Sequence, residues 1–255
     1  GAMAGSFTVD PAATLRFSGG TYSGQVALNG PTGTVQVSSS ALTLGGTASV
    51  AELAFSNGST VTMSGTLTAP SLTISNSTAN VTANLAVATV TVSSATLNLV
   101  ANSVPDLGAV TVQNAGALDV STNTTFDVLI LSSGTLSGSG ALTVADTLTW
   151  SGGTMSGPSR TISQGTLSLE GNGDKRLQNS RKLDQAGTGV WKDGGQLRLH
   201  DGSTFTNLAG ATFTIENAAG ILHDGGIQTT FTNAGTLRKT SAGVTSFASG
   251  IAFNN

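Results

Sequence analysis

The chain has 255 residues, no cysteine, and charged residues at only 9%, which excludes a disulfide framework and thiolate metal sites. A net charge of −3, with no basic stripe, argues against nucleic acid as a partner. Threonine (39), serine (31) and glycine (34) supply 104 residues, yet mean hydropathy is +0.16, so the composition is not that of a disordered chain.

The opening Gly1-Ala2-Met3 reads as the remnant of a cleaved tag. Residues 7–65 give short apolar-alternating runs (FTVD, LRFSG, QVALNG, TVQVSS, ALTLGG, ELAFSNGS, TVTMSG) divided by Gly or Ser-Asn-Gly turns. Residues 66–132 are richer in Thr and Val, with Pro70 and Pro105 between runs, where a missing N–H costs little. The most apolar stretch, 81–100, is interrupted by Thr, Asn and Ser, so no membrane insertion of this segment is expected. GTLSGSG at 134–140 returns as GTMSGPS at 153–159, an offset of 19 (153 − 134). Composition shifts near residue 160, and 170–201 is the most charged stretch.

The region 199–235 sets the architecture. LHDG occurs at 199–202 and 222–225, an offset of 23 (222 − 199), and FTN at 205–207 and 231–233, an offset of 26 (231 − 205). Two signatures returning in the same order after nearly the same length indicate a solenoid coil. Three strand-length runs lie between successive LHDG copies. The expected fold is therefore all-β: one β-solenoid domain over 1–255, with three strands per coil and about eleven coils. Alternation places Val61, Leu67, Val90, Leu148, Phe205, Phe213 and Phe231 inside. Asn207 and Asn233 share the parity of the phenylalanines and should form a buried amide column. Leu177-x-Asn179 and Leu183-x-Gln185 match that pattern.

The stretches GALTVADTLTWSGGTMSG, GDKRLQNSRKLDQAGTGVWKDGG and GSTFTNLAGATFTIEN resemble the Gly/Thr-rich strand repeats of very large bacterial surface and secreted proteins, such as autotransporter passengers and filamentous-haemagglutinin-like adhesins. That resemblance implies a right-handed parallel β-helix serving as a stalk, spacer or adhesive surface. It implies an extracellular or cell-surface location, no catalysis and no cofactor. The partner would be a cell-surface glycan or another surface protein.

Some residues could carry chemistry. If LHDG stacks on LHDG, His200 lies over His223 and Asp201 over Asp224, a set able to hold a divalent metal or act as acid and base, although Asp-Gly is also an ordinary turn dipeptide. Parallel β-helices also act on polysaccharides through clustered Asp, Arg or Lys. The candidates here are Asp174, Lys175, Arg176, Arg181, Lys182, Asp184, Lys192 and Asp193, with Trp191 as a sugar platform; the same residues also read as a solvated loop. Thr-x-Thr recurs along the chain, as at Thr60–Thr62, Thr66–Thr68, Thr89–Thr91, Thr147–Thr149, Thr204–Thr206, Thr212–Thr214 and Thr230–Thr232, which raises ice binding, but at uneven spacing that would scatter the motifs over different faces.

Overall fold

The structure is a computed structural model that describes the backbone of all 255 residues and every side chain except that of Val26. It is an all-β parallel β-solenoid whose coils fall into two compact units, Gly1–Thr124 and Thr125–Asn255. Together the units hold about 13 turns, against the eleven expected, because the repeat is shorter than the 199–235 region suggests.

In the first unit the register repeats every 18 residues (78 − 60) to 21 (118 − 97). Strands Leu67–Ser75 and Asn84–Ser93 alternate with the four-residue strands Thr78–Val81 and Thr96–Leu99. Each long strand bends without leaving the ladder. In Leu67–Ser75 the buried residues are Leu67 and Ala69, then Leu72 and Ile74; Pro70 and Ser71 point outward in succession and make the corner. Pairing skips Pro70 and resumes at Ser71↔Thr89. Two walls thus belong to one strand, and a coil here has two strands where three were expected. Thr14–Leu44 carries this furthest, running 31 residues without a break.

The second unit opens with such long strands, Thr124–Leu131 and Leu142–Trp150, and from Gly153 onward its coils have three short strands each, as in Lys175–Gln178, Lys182–Gln185 and Thr188–Trp191. These are called the first, second and third walls below. Their repeat varies from 19 residues (161 − 142) to 26 (230 − 204), and the turns absorb the difference. Several turns hold Asn or Asp at positive φ, including Asn57 (56°), Asn179 (56°) and Asp201 (49°). Their short polar side chains tolerate the left-handed region. Elsewhere the coils approach too closely for any side chain. A Cβ on Gly187 would sit 2.1 Å from the Gly165 carbonyl oxygen of the preceding coil.

The core is the stack of inward residues. Val61, Leu67, Val90, Leu148, Phe205, Phe213 and Phe231 are all buried, as parity required. Phe205 and Phe231 stack with ring centroids 4.9 Å apart and planes 8° apart. Asn207 Nδ2 donates to Asn233 Oδ1 at 2.7 Å, and Asn233 Nδ2 to Asn255 Oδ1 at 2.6 Å, so the amide column exists. Gln185 joins it in register with Asn207. Asn179 does not: it sits exposed in a turn, and its Nδ2 donates to Ser156 Oγ.

Candidate functional site

The candidate residues at 170–201 wind around the coil, so neighbours in sequence reach different walls. Strand Lys175–Gln178 puts Lys175 and Leu177 inside and Arg176 outside. On the next coil Leu197 and Leu199 point inward and Arg198 outward, directly in register with Arg176. Two like charges side by side are unfavourable, and carboxylates from flanking turns offset them. Arg198 forms a fork with Asp224, Nε to Oδ2 and Nη2 to Oδ1, both at 2.7 Å. Its Nη1 lies 3.3 Å from Asp174 Oδ2. Arg176 reaches Asp224 at 3.4 Å and Asp174 at 3.8 Å. The Asp224 hydrogen bonds hold the Arg198 pKa above its ordinary value. Sequence reasoning missed Arg198; the Leu-Arg-Leu alternation is the signal that assigns it to the outer face with Arg176.

The other cations lie elsewhere. Lys182 is exposed on the second wall beside Arg160, which pairs with Asp184 at 3.1 Å. Lys192 follows the third wall and pairs with Glu170 at 3.1 Å. The Ser168 hydroxyl, and then Lys192, lower the Glu170 pKa. Asp193 sits in a turn, where Oδ2 accepts from the Gly171 N–H at 2.7 Å.

Three candidates face inward. Lys175 is fully buried, with Nζ donating to the Gly171 carbonyl at 2.9 Å, and burial lowers its pKa. Arg181 is fully buried, and its Nε and Nη2 both reach Thr161 Oγ1. Trp191 is also fully buried, with Nε1 donating to the Gly195 carbonyl at 3.1 Å, so it offers no face to a sugar from solvent.

The histidines do not stack. The register sets Leu199 against His223, and the Asp224 N–H donates to the Leu199 carbonyl, which displaces the two LHDG copies by one residue. His223 faces inward, its Nδ1 3.2 Å from Thr229 Oγ1. Asp201 Oδ1 instead accepts from the Ile227 N–H at 3.3 Å, while Asp224 serves the arginines. The longer turn between first and second walls in the later coil, together with the 24-residue wall repeat (221 − 197), defeats the 23-residue alignment. Among the described residues no group of three or more His, Asp or Glu is placed to hold a metal ion.

The threonines do align. Thr147, Thr166, Thr188, Thr212 and Thr236 occupy successive coils in one outward column on the third wall of the second unit. Their sequence offsets run from 19 (166 − 147) to 24 (236 − 212), which turns conceal in the fold. The Thr-x-Thr motifs themselves do fall on different walls, Thr204–Thr206 over Thr230–Thr232 on the second and Thr147–Thr149 and Thr212–Thr214 on the third; the column adds single threonines, Thr166, Thr188 and Thr236, to the last two. Among the described residues none of these five hydroxyls bonds to the protein. By contrast, Thr82, Thr89 and Ser159 spend theirs on carbonyls of the preceding coil.

No protein-family model, curated protein or solved structure matches the chain.

Proposed function

We propose that this chain is a non-catalytic structural and adhesive segment of a large exported bacterial surface protein, acting at the cell surface or outside the cell. The observation that carries the reading is the five-threonine column with unengaged hydroxyls. A β-branched side chain is stiff at χ1, so each coil presents the same methyl and hydroxyl at the strand spacing of roughly 4.8 Å. Individually weak contacts repeated on a stiff support add by multivalency, which suits a cell-surface glycan or another surface protein. Arg160, Arg176, Lys192 and Arg198 on the outer surface are engaged by carboxylates, which favours a support over a charged substrate cleft.

The test is binding of the immobilised protein to a panel of surface polysaccharides and whole cells. Retention that the double substitution Thr188→Lys, Thr212→Lys abolishes supports the reading. Release of reducing or unsaturated sugar ends overturns its non-catalytic part, and retention by no cell or glycan overturns the adhesive part.

The same column favours a second reading, ice binding, because methyl–hydroxyl pairs repeat in register on one wall. A thermal-hysteresis measurement on the wild type and on Thr188→Lys separates the two: hysteresis lost in the variant supports ice, and its absence in both removes that reading.

A further inference from the structure

Asn-Gly pairs stand at 29–30, 57–58 and 172–173. Such a pair can rearrange covalently, because glycine has no side chain to shield its nitrogen from the asparagine amide before it. The fold holds the three pairs differently. Asn29 and Gly30 lie inside strand Thr14–Leu44, in register with Ser49 and Val50, and Gly30 is buried. A strand held in its ladder keeps the two groups extended and apart. At Asn57 both nitrogens of the reaction are engaged: Nδ2 donates to Ser38 Oγ at 2.9 Å, and the Gly58 N–H donates to the Asn76 carbonyl at 2.7 Å. Asn172 and Gly173 are instead exposed, in the irregular segment before strand Lys175–Gln178. Among the described residues neither the Gly173 N–H nor Asn172 Nδ2 donates to a protein group. A Cβ on Gly173 would sit 2.7 Å from the Ser151 carbonyl oxygen, so packing itself keeps an unshielded nitrogen here.

One contact holds the Asn172 side chain. Its Oδ1 accepts from the Gly194 N–H of the next coil at 3.1 Å. That donor points at the atom on which negative charge develops when a nucleophile adds to Cγ, the arrangement of an oxyanion hole. We propose that Asn172 is a site of spontaneous covalent modification, cyclising onto the Gly173 nitrogen and opening to aspartate or isoaspartate, while Asn29 and Asn57 keep their amides. The Gly173 nitrogen forms the new bond to Asn172 Cγ and gives its proton to solvent hydroxide. The Cγ–Nδ2 bond breaks, and Nδ2 takes a proton to leave as ammonia. Water then opens the cyclic imide, giving aspartate where it cleaves the new bond and isoaspartate where it cleaves the original peptide bond. Either product adds a carboxylate to a corner where Glu170, Asp174 and Asp193 already act on the buried Lys175.

The test incubates the 255-residue protein in mildly alkaline buffer, with and without denaturant, and follows the amide-to-acid mass shift at each asparagine by peptic mapping. In the folded protein Asn172 should convert about tenfold faster than Asn57 or Asn29, or more, a barrier difference of at least about 1.4 kcal/mol. In denaturant the three rates should converge, because each site then offers the same Asn-Gly chemistry without the fold around it. Asn172→Asp supplies the elution standard for the aspartate product, and a second peptide of equal mass that elutes apart from it is the isoaspartate expected from imide opening. An intact Asn172 amide in the folded protein overturns the proposal. So does conversion at Asn57 or Asn29 as fast as at Asn172 in the folded state, or a product that lacks the isoaspartate form, which would mean direct hydrolysis without the imide.

Discussion

Gln185 lies in the buried column between Ser163 and Asn207. Neither atom of its amide has a hydrogen-bond partner, and Ser163 Oγ and Asn207 Oδ1 are also unpartnered. An unsatisfied buried polar group costs about 1–3 kcal/mol, whereas an apolar group of similar shape costs nothing of that kind. Gln185→Leu should therefore raise the unfolding free energy by about 1 kcal/mol, read as a higher denaturant midpoint at constant slope. A lower midpoint would mean that the column is satisfied through solvent. Lys175 poses the same question with charge. Burial lowers its pKa below the ordinary lysine value. The folded state therefore binds the proton more weakly than the unfolded chain, and Lys175 contributes a stability that rises with pH between the lowered value and the unfolded one near about 10.4. Lys175→Met removes the charge at similar length and should stabilise by about 1 kcal/mol at neutral pH. That advantage should shrink as pH rises toward about 10; melts at several pH values check it, and an advantage growing with pH would reverse the sign of the argument.

Strand Thr204–Asn207 shows what an element contributes through its stack. Phe205 packs between Phe213 at 5.0 Å and Phe231 at 4.9 Å, so truncating it opens a void against two rings. Phe205→Ala should cost about 3–5 kcal/mol. Asn207→Ala removes a donor to Asn233 Oδ1 and to the Thr236 carbonyl, and should cost about 1–2 kcal/mol. Equal costs in chemical denaturation would contradict the difference in packing. Parity made both residues readable, because an alternating four-residue strand has one way to bury a phenylalanine. Corners were not readable. Asn179 follows the same Leu-x-Asn pattern, yet it takes positive φ and turns outward. The register of His223 depended on the length of a turn, and one residue moved it from His200 to Leu199. Lys175 and Arg181 were hidden for a related reason: charge suggests solvent, while Lys175 points inward from its wall and Arg181 turns inward from the corner just before Lys182–Gln185. Pattern fixes which way a residue faces within a strand, but the turns decide what it faces.

A stack of coils is held by nearest-neighbour contacts, so stability in it is local and depends on how many sides of a strand are paired. Within the second unit, Lys182–Gln185 and Thr188–Trp191 each have ladder partners on both sides. Thr236–Lys239 has one. Native-state hydrogen exchange should therefore fall into a gradient, with amides of 182–191 opening only with the unit and those of 236–239 exchanging faster by orders of magnitude. Salt should barely flatten it, because the gradient comes from backbone pairing and apolar stacking in a chain with only 9% charged residues. Uniform protection across 182–239 would mean that the unit opens as one block, and that an open edge carries no cost in this fold. The five-threonine column spans this gradient, from Thr147 to Thr236. Its last member stands on the least protected strand, so a ligand that needs all five positions in register must also order that edge.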